Sequence, residues 1–426
     1  MPDPFVLAIG LTIITVVLAL VVAPEGSLPN VIGSWYRGIF EILTFAFQMI
    51  LILATGHALA HAPAISRFLR WLVSLAKTEN GAIVLTFLVA AFASLLNWGF
   101  GLVVSAILAR EVARSVKGID FGWVVAAAYS GFVVWASGVS SSIAITQASH
   151  GNTLNIVEKH TGQLLPISDT VFASFNWVPT LIVILVMPLV FIAIRPHGSD
   201  VQPYVPQPEL PPPPEPLSNS PARRMDRSPL FNLFLLAFGI AVVILLYVQG
   251  KFSFDVNMII LVFLIAGIAL HGTPVAYGNA MKNAAKQTGS MMLQYPFYGG
   301  IMGIMHYTGL ADVISKVFVA ISSAHTLPFW SYICSLIITF FVPSGGGHWA
   351  VQGPFVVPAA VQLHSSLPAS AMAVAMGEQV ANMLQPFWAL PVVAMAGIGI
   401  QRVMGVTVFT FVVAGLIYGA GLLLLG

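Results

Sequence analysis

Long apolar runs recur along this chain and predict helices that cross a membrane. Residues 5–23, 230–248 and 403–425 each form a run of about twenty residues with almost no ionisable side chain, the length at which an α-helix spans the hydrocarbon core of a bilayer. Because apolar residues are continuous in these runs and do not alternate with polar ones, the runs indicate helices and exclude a membrane-spanning β-barrel.

Weaker apolar runs complete the predicted set of spans, and two amphipathic stretches, 63–78 and 309–323, lie between them. The further predicted spans are 36–56, 122–147, 170–194, 255–271, 289–307 and 368–398. The pattern therefore predicts an all-α membrane protein with about nine transmembrane helices.

A proline-rich stretch divides the chain into two hydrophobic halves, 1–195 and 230–426. Residues 196–229 contain eleven prolines, a composition typical of an extended, solvated linker. The features occur in the same order in the two halves: an amphipathic stretch, a long apolar segment with a polar centre, and two spans.

The long apolar segments, 80–116 and 327–364, do not fit single spans. Each has a glycine-rich polar apex at its centre, around Asn97 in the first half and around Ser344 in the second. Non-helical backbone at membrane depth survives only where protein or a water-filled cavity satisfies it. We therefore predict that both segments are re-entrant hairpins.

The number of crossings and the basic residues predict how the chain is oriented. An odd number of spans separates the two hairpins, so the halves are expected to insert in opposite directions as an inverted repeat, the architecture of alternating-access carriers. With a cytoplasmic N-terminus, thirteen Lys and Arg residues fall inside and only Arg37, Lys159, Lys251 and Lys316 fall outside. This topology predicts a bacterial inner-membrane protein with a cytoplasmic 196–229 linker and a periplasmic C-terminus.

Composition removes several functional classes. The chain is 58% hydrophobic and 8% charged, with a mean hydropathy of +0.91. A net charge of +2 without a basic stripe gives no indication of nucleic-acid binding, and the single cysteine, Cys334, rules out a Cys-based metal site. The sequence contains neither a zinc-binding H-E-x-x-H motif nor a phosphate-binding P-loop. We expect no catalytic residues, no metal and no cofactor other than a coupling Na+ or H+.

The hairpin apices are the predicted substrate site. Helix N-termini that begin after glycine-rich turns present free N–H groups and partial positive charge, which suit a carboxylate. In a second interpretation, these small residues only allow helices to pack closely. The candidate substrate-binding residues are Ser94, Asn97, Gly99, Ser344, Gly345, Gly346, His348 and Trp349.

Polar residues interrupt the spans that follow the hairpins, and they predict broken helices that face the same site. Asn97 and Gly138 are 41 residues apart, as are Ser344 and Gln385. The candidate residues for the breaks and for ion coupling are Ser137, Ser140, Ser141, Glu378, Gln379, Asn382 and Gln385.

Glu378 is the acid placed well inside a span of the second half, and three roles remain open for it. A buried, unpaired carboxylate tends to be protonated. Glu378 could therefore carry a coupling proton, help to bind Na+, or form a hydrogen bond between helices.

No Lys or Arg lies deep in a predicted span, which favours a monocarboxylate over a dicarboxylate. Two other functional classes remain as alternatives. One is an intramembrane enzyme that uses Ser344 and His348, although the G-x-S-x-G motif of a nucleophile elbow is absent. The other is an anion channel.

Two stretches of the sequence resemble the bacterial short-chain fatty acid transporter family. They are the run from Phe341 to Pro354, together with Gly377-Glu378-Gln379, and the run from Leu96 to Leu102. The resemblance extends over essentially the whole chain, and the part from Ser344 to Pro354 is specific. It implies transport of acetoacetate, butyrate or a similar small carboxylate.

The resemblance also implies kinship with the ion transporter superfamily. Its divalent-anion and aminobenzoyl-glutamate carriers are homodimers that move hairpin-bearing domains like elevators, and they hold substrate and Na+ with Ser-Asn-Thr motifs at hairpin tips. In this chain Ser94 and Asn97 are separated, and the second apex has glycines and His348 instead. Both Na+ and H+ therefore remain open as the coupling ion.

Overall fold

The computed structural model describes residues 4–139, 141–152, 154–205, 221–252, 256–286, 288–343 and 345–426. These residues form α-helices and short 3-10 segments without any β-strand, so the predicted all-α architecture is confirmed. In chain order the helices of the first half are α1 (Pro4–Val22), α2 (Leu28–Glu41), α3 (Leu43–Ala60), α4 (Pro63–Ser74), α5 (Glu79–Leu96), α6 (Trp98–Ser115), α7 (Phe121–Ser130), α8 (Ser142–Ala148), α9 (Ile156–Thr161) and α10 (Ser174–Ala193).

A short helix, α11 (Pro221–Asp226), lies at the end of the predicted linker. The helices of the second half are α12 (Pro229–Val248), α13 (Val256–His271), α14 (Pro274–Ala285), α15 (Gly289–Tyr307), α16 (Leu310–Ala320), α17 (Leu327–Ile338), α18 (Gly345–Gln362), α19 (Leu367–Ala381), α20 (Pro386–Ala396) and α21 (Ile400–Leu425).

Five helical segments in the described ranges are long and apolar enough to cross a membrane. They are Glu79–Leu96, Phe121–Ala148, Ser174–Ala193, Pro229–Val248 and Ile400–Leu425. The first of them is α5, an arm of the predicted first hairpin. Its 18 residues extend for about 27 Å, close to the thickness of the hydrocarbon core. The length of α5 alone therefore does not distinguish a helix that crosses the membrane from a hairpin arm that turns back inside it.

Besides the short helices α9 and α11, which were not predicted, the helices differ from the predicted spans in two places. The predicted span 36–56 is two helices, α2 and α3, which meet at Ile42, and α2 begins at Leu28. The sequence carries a signal for this earlier start, because Pro29 occupies the first turn after Ser27. Helix α14 was not predicted, although Thr273 accepts a hydrogen bond from the Ala276 N–H as its N-cap.

The two interrupted segments form the centre of the protein. All ten residues of α7 are buried, and the 3-10 segment Gly131–Ser137 that continues it is buried as well. Helix α19 is buried from Ala369 to Ala381. By contrast, α12 exposes most of its large apolar side chains, as a helix that faces lipid does.

Each half contains the same succession of elements. In the first half the amphipathic helix α4 precedes the pair α5–α6, the interrupted segment α7–α8 and the long helix α10. In the second half α16 precedes the pair α17–α18, the interrupted segment α19–α20 and the long helix α21. Helix α6 folds back on α5. A Cβ atom on Gly101 of α6 would lie 2.2 Å from Ser94 Oγ of α5.

Polar contacts join loops that the predicted topology places on one side. Asp120 accepts hydrogen bonds from the Trp123 and Gln202 N–H groups and lies 3.4 Å from the Arg402 guanidinium. Arg195 pairs with Glu79 at 3.1 Å. The start of α7, the end of α10 and the starts of α5 and α21 therefore lie at the same end of the molecule.

Glycines bring α2 and α15 into close contact. A Cβ atom on Gly38 would lie 2.1 Å from the carbonyl oxygen of Gly299 and 2.7 Å from the Cα atom of Gly303. A Cβ atom on Gly303 would lie 2.2 Å from the carbonyl oxygen of Ser34. This crossing uses small residues to let two backbones touch, as helices in membranes commonly do.

The Gly38→Ala variant should therefore be less stable than the parent protein. The new methyl group meets backbone atoms that cannot rotate away, and overpacking of this kind costs about 1–3 kcal/mol. A Cβ atom on Gly33, which is on the same helix, would have no other atom within 4 Å, so Gly33→Ala is the matched control. Thermal unfolding in detergent should show a lower melting temperature for Gly38→Ala only, and equal temperatures would contradict the close crossing.

Candidate functional site

The first helix break, between α5 and α6, is a single residue, Asn97. Its Oδ1 atom accepts hydrogen bonds from the N–H groups of Gly99 at 2.9 Å and Phe100 at 3.1 Å, so Asn97 is the N-cap of α6. The Ser94 hydroxyl donates to the carbonyl oxygen of Ala90 at 2.7 Å. The predicted site residues Ser94, Asn97 and Gly99 thus lie together. The cap uses only the Oδ1 atom of Asn97, and the Nδ2 group of this side chain takes no part in it.

The second break, between α17 and α18, contains Ser344, which lies outside the described residues. His348 is fully buried inside this pair of helices. Its Nδ1 atom lies 3.2 Å from Thr339 Oγ1 and its Nε2 atom 2.7 Å from Gln352 Oε1. Both ring nitrogens are therefore engaged within the pair, and the geometry gives His348 a role in joining α17 to α18.

Trp349 and Gly346 face a different part of the chain. The Trp349 Nε1–H group donates to the carbonyl oxygen of Leu154 at 3.0 Å. A Cβ atom on Gly346 would lie 3.4 Å from Leu154 Cδ1. These two predicted substrate residues lie against the segment between α8 and α9, whereas Gly345 points toward the interrupted helices.

The interrupted helix of the first half is held open by the second half. Gln379 of α19 donates from Nε2 to Ser137 Oγ at 2.8 Å, and its Oε1 atom accepts from the Ala136 N–H group at 2.9 Å. The Asn176 Nδ2 group donates to the carbonyl oxygen of Ser137. Ser141 caps α8 by accepting from the Ala144 N–H group, and Ser140 lies outside the described residues.

Asn382 and Gln385 flank the break between α19 and α20. The Asn382 Oδ1 atom accepts from Trp135 Nε1 at 3.1 Å, and its carbonyl oxygen accepts from the Tyr129 hydroxyl at 2.8 Å. The Gln385 Oε1 atom accepts from the Phe387 N–H group at 2.8 Å and caps α20. The interrupted helices of the two halves therefore cross-link at their breaks.

Trp388 of α20 connects the two helix turns. Its Nε1–H group donates to the carbonyl oxygen of Pro343 at 2.7 Å, next to the second break. Its ring packs edge-on against the ring of Trp98 beside the first break, with centroids 5.1 Å apart. Both turns thus lie around one side chain of the second interrupted helix.

Several buried polar atoms near these breaks have no hydrogen-bond partner among the described residues. They are both carboxylate oxygens of Glu378, the Ser142 hydroxyl, Asn382 Nδ2 and Gln385 Nε2. A Cβ atom on Gly345 would lie 2.3 Å from Ser142 Oγ and 3.4 Å from Glu378 Oε2. Glu378, Ser142 and the first turn of α18 therefore meet at one point, to which both halves contribute.

Sequence reasoning missed Ser142. Its one signal was its position at the end of the serine run 140–142, and the sequence does not show which of these hydroxyls faces Glu378. Trp135 and Trp388 were missed as well, because a tryptophan in an apolar span looks like an ordinary core or lipid-facing residue. Their indole N–H bonds to Asn382 and Pro343 are long-range contacts.

This arrangement can hold a proton or a small cation. A buried carboxylate without a partner is costly, so such a group carries a proton or is paired with a positive charge. The described residues contain no cluster of three or more His, Cys, Asp or Glu side chains that could hold a metal ion. Glu378 with the Ser142 hydroxyl instead offers oxygen atoms from a carboxylate and an alcohol.

Apolar helices that are broken at buried polar residues, with two helix turns packed around the breaks, are typical of membrane transporters. The chain belongs to the short-chain fatty acid transporter family, because the family model described as "Short chain fatty acid transporter" matches residues 1–425. The family and its named members are transporters, so the protein is a transporter and not an enzyme.

Two relatives and two solved structures resemble the chain over nearly its whole length. Proteins of Escherichia coli K12 and Haemophilus influenzae Rd, both named for short-chain fatty acid transport, are 39% and 36% identical over all of this chain and 96% of their own lengths. The YdaH transporter of Alcanivorax borkumensis aligns over 99% of this chain and 98% of its own, with a TM-score of 0.48 and 15% identity. MtrF of Neisseria gonorrhoeae, described as one of a class of antimetabolite efflux pumps, aligns over 100% and 96% of the two chains with a TM-score of 0.39 and 14% identity.

The Gly345→Ala variant should impair transport. Its methyl group would displace the Ser142 hydroxyl and crowd Glu378. Overpacking costs about 1–3 kcal/mol, so if this cost falls on the transporting conformation the uptake rate should drop roughly five- to a hundredfold. Gly346→Ala is the control, since its nearest neighbour is Leu154 Cδ1 at 3.4 Å. Butyrate uptake into proteoliposomes checks this prediction. Uptake by Gly345→Ala at the parent's rate would show that this contact is unimportant.

Proposed function

We propose that this protein carries short-chain monocarboxylates such as acetoacetate or butyrate across the bacterial inner membrane, coupled to H+ or Na+. Membership of the family supports the substrate class. The observation that supports coupling is the position of Glu378, whose two buried oxygens have no hydrogen-bond partner among the described residues and lie beside Ser142 and Gly345.

We propose alternating access as the mechanism, with the substrate held between the turns around Asn97 and Ser344 and the two interrupted helices. The repeated order of elements in the halves supports an inverted repeat of re-entrant hairpins. In this proposal the buried unit built from α5–α8 and α17–α20 moves like an elevator against a framework that includes α2 and α15. The protein would act as a homodimer, as the resemblance to the ion transporter superfamily implies.

The roles of the remaining candidates follow from their contacts. Asn97 and Gly99 would present the Nδ2 group and the first turn of α6 to the substrate. Gln379 and Ser137 would set the shape of the first break, since they bond to each other. Glu378 with Ser142 would hold the coupling cation, and His348 would keep α17 and α18 together.

Counterflow in proteoliposomes tests the transport proposal. Vesicles preloaded with unlabelled butyrate should accumulate labelled butyrate transiently and with saturation, because a carrier exchanges substrate across the membrane. A channel would give conductance that does not saturate. Uptake under imposed Na+ or proton gradients then identifies the coupling ion.

The Glu378→Gln variant tests the proton-coupled form of the proposal. The amide has nearly the shape of the carboxylic acid but cannot release a proton, so gradient-driven uptake should be lost while butyrate exchange continues. Glu111→Gln is the control, because Glu111 pairs with Arg114 on α6 and lies away from the breaks. Equal loss of exchange and uptake in Glu378→Gln would point to Na+ binding or to a structural role.

Cysteine labelling tests the proposed orientation. On a Cys334→Ala background, single cysteines in the 196–229 segment should react only after the inner membrane is made permeable. The reason is that this segment and the loops on its side of the membrane carry thirteen Lys and Arg residues, and basic loops stay in the cytoplasm. A cysteine added after Gly426 should react from the periplasm. Labelling of the 196–229 segment in intact spheroplasts would contradict this orientation.

A further inference from the structure

Helix α15 places two unpaired tyrosine hydroxyls in the interior of the protein. Tyr295 and Tyr298 are both 0% exposed, and neither hydroxyl has a hydrogen-bond partner among the described residues. Buried hydroxyls in proteins are nearly always bonded, so two unpaired ones that are three residues apart on a helix call for an explanation. Neither residue stands out in the sequence, where both lie in an ordinary apolar span.

Both tyrosines lie against the break between α19 and α20. The Tyr295 ring stacks on the Phe387 ring with centroids 4.4 Å apart, and the Tyr298 ring meets the same ring edge-on at 5.2 Å. Phe387 is in the first turn of α20, where its N–H group bonds to Gln385. At the same break, the hydroxyl of a third buried tyrosine, Tyr129, donates to the carbonyl oxygen of Asn382.

The break adds two hydrogen-bond donors of its own. The amide oxygens of Asn382 and Gln385 are already bonded to Trp135 Nε1 and the Phe387 N–H group, which fixes how the two amide groups are turned. Their nitrogen ends, Nδ2 and Nε2, are buried and have no partner among the described residues. Two amide groups that only donate and two hydroxyls that can donate form a set complementary to a carboxylate, which only accepts.

A cavity of about 280 Å³ lies along the same face of α15. Gly299, Met302 and His306 line it, and they follow Tyr295 at spacings of four, seven and eleven residues, which keeps them on one side of a helix. Val342 and Val351 of the second hairpin form part of the opposite wall. Glu41 and Tyr307 also line the cavity, whereas the two tyrosines do not, so the cavity lies beside the two tyrosines along α15.

We propose that Tyr295 and Tyr298 donate hydrogen bonds to the carboxylate of the substrate at the break between α19 and α20, together with the amide groups of Asn382 and Gln385. The inference rests on the proposed transport of short-chain acids and adds α15 as a wall of the substrate site. The carboxylate of Glu378 and the amide donors of Asn382 and Gln385 would then occupy different parts of the same interrupted helix, the first suited to a cation and the second to an anion.

Tyr295→Phe and Tyr298→Phe test this assignment with the least possible change. Equilibrium binding of radiolabelled butyrate to the purified protein should weaken roughly ten- to a hundred-fold in each variant, because each loses one hydrogen bond to a charged group. Melting temperatures should be unchanged or higher, since each variant removes a buried hydroxyl that has no partner among the described residues. In the parent protein the neutral amide butyramide should displace labelled butyrate more weakly than unlabelled butyrate does. This difference should become smaller in both variants.

Tyr332→Phe is the matched control. Tyr332 is 1% exposed, but its hydroxyl donates to the carbonyl oxygen of Gly415 at 3.0 Å, so its loss should lower the melting temperature and leave butyrate affinity unchanged. If the parent binds butyrate saturably and both Tyr295→Phe and Tyr298→Phe bind it equally well, the inference is wrong and the proposed function stands. If the parent binds no short-chain acid, both are wrong.

Discussion

The two interrupted helices depend on each other through Gln379. A break in a membrane helix leaves backbone groups that neither water nor lipid can satisfy, so the protein itself must supply their partners. Gln379 meets the Ala136 N–H group and the Ser137 hydroxyl with one side chain, and Asn382 receives the indole N–H group of Trp135. Each half therefore supplies partners to the irregular part of the other, in addition to partners from the same half such as Asn176.

The polar groups without a hydrogen-bond partner are informative because most polar groups around them have one. Around the breaks, Ser137, Gln379 and both amide oxygens of Asn382 and Gln385 have partners, so the geometry of the polar core is well determined. The groups left over around the breaks are the Glu378 carboxylate, the Asn176 Oδ1 atom, the Ser142 hydroxyl and the amide N–H groups of Asn382 and Gln385. Glu378, Asn382 and Gln385 leave such groups unpaired within two turns of one interrupted helix, which supports the proposed ligand site there.

Sequence reasoning could predict the parts of the fold that depend on local composition. The apolar runs, the amphipathic helices α4 and α16 and the breaks near Asn97 and Gln385 all follow from residue type and spacing. Of the two partners of His348, Gln352 lies four residues further along the same helix, a spacing that can be read from the sequence. Thr339 could not be predicted, because it lies at the end of the other arm of the hairpin and meets His348 only after the chain folds. Tyr295 and Tyr298 were missed for a related reason, since a tyrosine in an apolar helix shows its hydroxyl's environment only in three dimensions.

Placing the acid and the amide donors on one interrupted helix has a consequence for coupling. Glu378 is one turn before Asn382, whose amide oxygen is tied to Trp135, and Trp135 also lies beside Gly345 at the start of α18. In the proposed mechanism, ordering Glu378 by a proton or a cation would restrain the same break that would present Nδ2 and Nε2 to the substrate carboxylate. Two ligands that order one shared element favour each other's binding, because the second no longer has to fix it. In the proposed mechanism a bound proton or Na+ neutralises the Glu378 carboxylate, so the substrate anion would meet N–H and O–H donors without a repelling charge nearby, and no Lys or Arg would be needed to offset one.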